Sequence, residues 1–159
     1  MNSTYLLLGS NMGNSEEQLQ ISIDLIKENV GKLIRKSSLY ATAAWGNTEQ
    51  PDFVNQVLIV ETPLSAAETL DELLAIEKSM GRIRTIKNAP RIIDIDILFF
   101  NNDIIRQKKL TVPHPEIQNR RFVLTPLNEL SPNLVHPVLQ QPVHVLLENC
   151  RDPLDVKKF

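Results

Sequence analysis

Cysteine is almost absent from this chain, which has only Cys150 among its 159 residues. A single thiol cannot form an internal disulfide, and this fits a protein of a reducing compartment. We expect Cys150 to be chemically inert, because it stands alone and lies near a chain end.

An excess of charge of one sign is also missing, since 17 Lys and Arg stand against 19 Asp and Glu. Proteins that bind nucleic acid usually have a basic footprint, so an anion site in this chain must be a local cluster. Long apolar runs are missing too, and the run from Tyr5 to Leu8 is too short for a signal peptide or a membrane span. We therefore expect a cytoplasmic protein with no membrane partner.

Internal repeats, low-complexity tracts and interdomain linkers are absent as well. Apolar residues make up 42% of the chain and charged residues 23%, which is typical of one globular domain over residues 1–159. The loop at residues 9–14 is not a phosphate-binding P-loop, because no Gly-Lys-Ser/Thr follows it. Asn11, in the same loop, is a candidate for a polar contact with a ligand.

The most informative stretch runs from Ile92 to Phe100, where seven of nine residues are apolar, as in a strand buried in a sheet. The exceptions, Asp94 and Asp96, are two residues apart and therefore leave the same face of the strand, with Cα atoms roughly 6 to 7 Å apart. Two carboxylates so close repel each other unless a cation lies between them, and Mg²⁺ suits such a pair.

Cations precede this strand at Arg82, Arg84, Lys87 and Arg91. Carboxylates for a metal beside cations for an anion are the composition of a phosphoryl-transfer site. The alternative is that the aspartates face solvent from an edge strand, and the apolar flanking residues argue against it.

Strand and helix signals predict the order β-α-β-β-α-β. The strands are expected at residues 5–8, 33–42, 53–62 and 92–100. The first helix follows an N-cap at Ser15 and ends before Gly31, and the second begins with a capping box of Ser65 and Glu68 and ends at Gly81. This order predicts an α+β, ferredoxin-like fold: an antiparallel sheet with helices on one face, an open second face and a C-terminal extension.

Glu77 falls within the apolar stripe of the second helix, which includes Leu70, Leu73 and Leu74. A buried carboxylate needs a partner, and either a nearby arginine or a ligand hydroxyl would serve.

Phe53 and Asn55 alternate along the third strand and share a face, so a ring and an amide could bind a planar heterocycle. Ordinary strand alternation explains the same pattern. Phe122 could be a second stacking ring or a core residue. His114 lies between two prolines and close in sequence to Arg120, where an imidazole could bind phosphate.

Residues 87–98, KNAPRIIDIDIL, resemble the signature of hydroxymethyl-dihydropterin pyrophosphokinase, a folate-pathway enzyme family. Further motifs of that family appear in order along nearly the whole chain: Leu8-Gly9-Ser10-Asn11, Gln50-Pro51-Asp52-Phe53-x-Asn55, Ile76-Glu77 with Gly81-Arg82, and Val112-Pro113-His114 followed by Asn119-Arg120. The resemblance implies transfer of the β,γ-diphosphate of ATP to the hydroxymethyl group of the dihydropterin, with release of AMP.

The resemblance also implies a role for each matching residue. Asp94 and Asp96 would hold two Mg²⁺ ions, while Arg82 and Arg91 would neutralise the transferred group. Residues implied to bind ATP are Glu77, Arg84, Lys109, His114 and Arg120. Residues implied to bind the pterin are Asn11, Thr42, Trp45, Gly46, Phe53, Asn55 and Phe122. The expected partners are these two small molecules alone, without nucleic acid, and the expected form is a monomer.

Three other functions remain open at this point. A nucleic-acid-binding module shares the predicted element order, but it would expose aromatic residues where this chain has Asp94 and Asp96. Another Mg²⁺-dependent nucleotide phosphotransferase would be separated from the pyrophosphokinase by its lack of dependence on the pterin. A ligand-binding relative without activity would not turn over at all.

Overall fold

The computed structural model describes residues 1–43, 51–81 and 92–159. The elements, with labels in chain order, are β1 (Asn2–Ser10), α1 (Ser15–Asn29), β2 (Lys32–Lys36), β3 (Tyr40–Thr42), β4 (Phe53–Thr62), α2 (Ala66–Ser79), β5 (Asp94–Phe100), β6 (Ile105–Arg106), β7 (Thr111–Val112), a 3₁₀ turn (Ile117–Asn119), α3 (Arg121–Leu130), α4 (Val143–Glu148) and β8 (Val156–Lys158). None of the helices in these three ranges has the length and apolar character needed to cross a membrane.

The main sheet has six strands, and all of their pairings are antiparallel. Five strands lie in the order β5-β1-β4-β3-β8, and β2 pairs with β4 beside β3. Strands β6 and β7 form a separate hairpin. The predicted α+β arrangement with an antiparallel sheet is confirmed, although β8 was not predicted.

The strand predicted over residues 33–42 is two strands, because Ser37 interrupts it. The hydroxyl of Ser37 accepts a hydrogen bond from the Val57 amide at 2.9 Å, while its own amide donates to the Val57 carbonyl at 2.9 Å. A side chain thereby replaces one backbone partner of β4, so the ladder changes register between β2 and β3.

The helix signals are confirmed for α2, where Ser65 and Glu68 form the capping box. In α1 the N-cap is Asn14 and not Ser15: the Asn14 side chain accepts a hydrogen bond from the Glu17 amide at 3.1 Å. Asparagine and serine cap helices about equally well, so neighbouring candidates are hard to separate from sequence.

Helices cover both faces of the main sheet, and an apolar cluster lies between the sheet and the helices on each face. One cluster joins α1 and α2 to one face and includes Leu8, Leu58 and Ile95. The second lies on the opposite face, where Leu7, Val57, Leu98 and Phe99 pack with residues of α3 and α4. The face predicted to be open is therefore covered over much of its area by the C-terminal extension, because those four side chains would otherwise expose a large apolar surface.

Candidate active site

A row of residues crosses the sheet at the end that the second apolar cluster leaves uncovered. Asp94 of β5 lies opposite Gly9 of β1, and Gly9 lies opposite Asn55 of β4. Asn55 in turn lies opposite Tyr40 of β3. Residues directly opposite each other in an antiparallel sheet point to the same face, so the strand pairing brings a carboxylate and an amide to one surface.

Asn55 has a buried amide with a hydrogen-bond donor that is unmet among the described residues. Its side chain is only 2% exposed. Within the described ranges, its Nδ2 has no hydrogen-bond acceptor. An unmet buried donor is unfavourable, and a bound molecule with an acceptor would relieve that penalty.

Gly9 makes room for this amide. A Cβ atom at Gly9 would lie 2.8 Å from Oδ1 of Asn55 and 3.7 Å from Cδ1 of Phe53. The side chains of Asn55 and Phe53 therefore lie directly against the backbone of β1 at Gly9. Sequence analysis missed this role and assigned Gly9 to the end of the strand, although β1 continues to Ser10. A glycine inside an apolar strand is the available signal, because it often marks a close approach.

Asp94 and Asp96 are both half-buried on β5. The prediction that the acidic strand is central in the sheet is wrong, because β5 lies at one end of the strand order and pairs with β1. Its apolar residues are buried all the same, since helices pack on both faces of the strand. Asp96 lies opposite Leu7, two pairs further along the strands than Asp94 and Gly9. The backbone between the two aspartates is held from the other side of the sheet, where the Ile95 amide donates to Oε2 of Glu77 at 2.7 Å.

Glu77 is 1% exposed, and its helix α2 packs on β5. An arginine or a ligand hydroxyl stays a predicted partner of Glu77, and the carboxylate in addition accepts a hydrogen bond from the backbone of the strand that bears both aspartates. A charge-assisted bond of this kind contributes about 1.5 to 3 kcal/mol when its partners are buried. Glu77 can thus position Asp94 and Asp96 without touching a substrate.

His114 is tied to the same strand, since its amide donates to the Leu98 carbonyl at 3.0 Å. Its Nδ1 accepts a hydrogen bond from the Glu116 amide at 3.1 Å, so the neutral ring bears its proton on Nε2. Burial lowers the pKa of His114, and the positive charge of Arg120 lowers it further, against the opposing charges of Glu116 and Asp94. At neutral pH the ring is an uncharged donor through Nε2.

The pKa of His114 leads to a testable pH dependence. Burial also lowers the pKa of His136. Below the ordinary histidine value of about 6.5, the unfolded chain binds protons that the folded chain does not. We therefore expect the free energy of unfolding to rise with pH up to about 6.5 and then to level off, with each histidine contributing at most about 1.4 kcal/mol per pH unit.

Two measurements check this pH dependence. Urea unfolding between pH 5 and 7.5 gives the stability curve, and the NMR titration of the imidazole signals gives the two midpoints, with His114→Gln assigning the first. Midpoints at or above 6.5 for both rings would contradict the prediction.

A groove of about 470 Å³ lies beside the acidic strand. Helix α2 contributes Leu70 and Leu74 to its wall, while Asp96, Lys109 and His114 supply its polar side. Leu74 was expected in the core, but it is 40% exposed. An apolar wall next to a cation and an imidazole donor suits a nucleotide base joined to a phosphate chain.

The other predicted residues occupy the margins of the site. Thr42 lies opposite Phe53 but donates its hydroxyl to the Asp155 carbonyl at 3.1 Å. Asn11 donates to the Pro51 carbonyl at 3.2 Å. The guanidinium of Arg120 lies 5.8 Å from the ring centre of Phe122, close enough for a cation–π contact. Outside the described residues lie Trp45, Gly46, Arg82, Arg84 and Arg91.

Residues 5–132 match the family of 7,8-dihydro-6-hydroxymethylpterin-pyrophosphokinase (HPPK). The chain belongs to this family. The resemblance found in the sequence is therefore confirmed, and it includes the acidic strand, Gly9, Asn55 and His114 within the matched range.

Individual relatives agree with this assignment. A Haemophilus influenzae protein named 2-amino-4-hydroxy-6-hydroxymethyldihydropteridine pyrophosphokinase is 41% identical over 138 residues, 86% of each chain. The Aquifex aeolicus protein of the same name is 38% identical over 90% of this chain and 89% of its own. Folic acid synthesis protein fol1 of Schizosaccharomyces pombe is 40% identical over 91% of this chain, which spans only 20% of that longer protein.

The fold has a solved counterpart in Plasmodium falciparum HPPK-DHPS, whose crystal structure with SDX-DHP superposes with a TM-score of 0.76. That match covers 93% of this chain and 43% of the Plasmodium chain. At 20% identity it shows the fold alone.

Proposed function

We propose that the row from Asp94 through Gly9 to Asn55 is the place where this chain carries out the reaction of its family. In that reaction a diphosphate group passes from ATP to 6-hydroxymethyl-7,8-dihydropterin, and AMP is released. The observation that supports this most strongly is that Asn55, with its unmet buried donor, shares one face of the sheet with two half-buried carboxylates. A polar heterocycle bound at Asn55 would have its substituent beside the acidic pair.

Asn55 and Phe53 are proposed to bind the pterin. The edge of a pterin ring offers both acceptors and donors, and an amide can meet one of each. The two side chains lie over Gly9, so a flat ring can approach the sheet closely. Phe122 is proposed as the second stacking ring, with Thr42, Asn11, Trp45 and Gly46 at the border of the pocket.

Asp94 and Asp96 are proposed to hold magnesium, in the two-ion form that the family resemblance implies. Among the described residues no group of three or more His, Cys, Asp or Glu side chains could enclose a metal. Mg²⁺ fits two carboxylates on an accessible strand, because it keeps waters and takes phosphate oxygens as its remaining ligands. When bound, the metal would neutralise charge on the triphosphate.

The groove beside β5 is proposed to hold the nucleotide. His114 would donate from Nε2 to a phosphate oxygen, and Lys109 and Arg120 would add positive charge. Arg82, Arg84 and Arg91 are proposed to act on the transferred group. Glu77 is 1% exposed and bonded to the Ile95 amide, so we assign it the positioning of β5, and its contact with ATP stays a prediction.

In chemical terms, the hydroxymethyl oxygen attacks the β-phosphorus while the bond to the α-phosphate oxygen breaks. The hydroxyl proton leaves to solvent, and AMP departs with the bridging oxygen. Such transfers need little covalent help from the protein, so catalysis rests on alignment of the two substrates and on neutralised charge. The row of residues supplies the alignment, since the carboxylates on β5 and the amide on β4 stand on either side of β1.

The test is AMP release from ATP and Mg²⁺, measured with and without hydroxymethyl-dihydropterin. We expect AMP only when the pterin is present, at a typical kinase turnover of about 1 to 100 per second under saturation. AMP or ADP formed equally well without the pterin would indicate a different phosphotransferase. Pterin binding without turnover would indicate a binding protein. Gel filtration of the same sample tests the predicted monomer.

A further inference from the structure

Residues 150–158 follow α4 and contact two separate parts of the candidate site; we call them the strap. Near its start, the side chain of Asp152 is only 6% exposed. Its Oδ2 accepts a hydrogen bond from the Arg121 amide at 3.0 Å, and its Oδ1 accepts one from the Leu154 amide at 3.0 Å. A buried carboxylate thus joins the strap to the first residue of α3.

The side chain of Arg121 makes two further hydrogen bonds between α3 and the strap. Its Nη2 donates to the Cys150 carbonyl at 2.9 Å, and its Nε donates to the Asp152 carbonyl at 3.3 Å. The N-cap residue of α3, Arg120, provides no side-chain cap of its own. Asp152 therefore replaces the missing cap, because a carboxylate at a helix N-terminus satisfies a free amide and complements the helix dipole.

The far end of the strap holds the opposite side of the site. Strand β8 pairs with β3, with Val156 opposite Thr42. The Thr42 hydroxyl donates to the Asp155 carbonyl at 3.1 Å, and the Phe159 amide, one residue beyond the strap, donates to the Leu39 carbonyl at 3.0 Å. On its other edge β3 pairs with β4, where Thr42 lies opposite Phe53.

We propose that the strap sets the spacing of the pterin pocket and that Asp152, near the start of the strap, is its positioning residue. This rests on the proposed function, which assigns Arg120 to ATP and Phe122 to the pterin. These residues flank Arg121, so the bond from its amide to Asp152 fixes the start of α3 at the point where both substrates are held. The other end of the strap fixes β3 beside Phe53. Asp152 touches neither substrate and acts on binding through α3.

The experiment compares Asp152→Ala and Asp152→Asn with the wild-type chain. In Asp152→Ala we expect KM for pterin and for ATP to rise about tenfold, the loss expected from one charge-assisted hydrogen bond, with kcat changed less than about threefold. Asp152→Asn keeps one acceptor and should recover part of the loss. Hydrogen exchange should quicken at residues 121–124 in both variants.

Asp155→Ala is the matched control, because that aspartate lies in the same strap with an exposed side chain and contributes its backbone carbonyl. We expect wild-type constants from it. If Asp152→Ala does not fold, Arg121→Gln tests the same junction and should raise both KM values in the same direction.

If the Asp152 variants have a lower melting temperature and faster exchange but unchanged KM values, the strap proposal is overturned. The proposed function would still stand in that case, provided that the wild-type protein turns over the pterin. Wild-type protein that never turns over the pterin would instead overturn the function on which the strap proposal rests. The matched residues of the family end at 132, so the strap lies beyond the segment that identified the chain.

Discussion

Asp96→Asn is expected to lower kcat for AMP release at least roughly 1,000-fold, which corresponds to about 4 kcal/mol of lost transition-state stabilisation. The substitution keeps the size of the side chain but removes the charge that would hold Mg²⁺ next to the triphosphate. Asp96 borders the nucleotide groove and faces the same way as Asp94 on β5. No group of three or more His, Cys, Asp or Glu side chains among the described residues could hold a metal, so the proposed site has no further ligand of these types to replace the charge of Asp96.

The measurement is steady-state turnover across a magnesium titration, with circular dichroism to confirm the fold. We expect part of the lost rate to return at high magnesium concentration, since the variant binds the ion weakly and is otherwise intact. Asp71→Asn is a matched control, because Asp71 is an exposed carboxylate of α2 that lines the same groove. It should change turnover by no more than about twofold, as most surface substitutions do. An equal loss of turnover in Asp96→Asn and Asp71→Asn would contradict the prediction. It would show that the rate depends on the total negative charge around the groove and not on metal binding at Asp96.

Gly9→Ala is expected to weaken pterin binding about 100-fold, the equivalent of two lost hydrogen bonds of about 1.4 kcal/mol each. The added Cβ would stand 2.8 Å from Oδ1 of Asn55, which is closer than such atoms approach. The Asn55 amide must then swing away from its place over β1, and the pterin loses both its hydrogen bonds and its close approach. ATP binding should stay near the wild-type value, because the groove for the nucleotide has no wall at Gly9.

A double-mutant cycle separates this mechanism from a general disturbance of the sheet. Asn55→Ala alone should weaken pterin binding to a similar degree. If Gly9 acts through Asn55, the combined variant loses little more than either single variant, since the same contact cannot be lost twice. Losses that multiply in the combined variant would indicate that Gly9 supports the pocket by a different route. Isothermal titration with pterin and with ATP, on all four proteins, gives the four free energies needed.

Much of the fold follows from local sequence. The capping box at Ser65 and Glu68 and the strand over residues 53–62 were predicted and are confirmed, because each depends on residues within a few positions of each other. The order of strands and helices was sufficient to predict the antiparallel α+β sheet. Errors of local origin were small, such as the N-cap at Asn14 in place of Ser15.

The larger differences arise from contacts between residues far apart in sequence. The C-terminal extension covers part of the predicted open face, since α3 and α4 bury apolar side chains of three strands. Ser37 divides a strand because its hydroxyl bonds to Val57, 20 residues later. Neither contact can be predicted from the periodicity of apolar residues along the sequence.

The sequence by itself determined the family, and it predicts the metal chemistry proposed for the site, because two acidic residues at i and i+2 of one strand are a local pattern. Only the tertiary structure decided how the residues proposed to bind the pterin come to lie beside those proposed to bind the metal and the nucleotide. Strand pairing placed Asn55 over Gly9, helix packing turned Glu77 toward Ile95, and the strap brought Asp152 to the start of α3. Each of these contacts joins residues at least 18 positions apart, and only the folded chain brings such residues together.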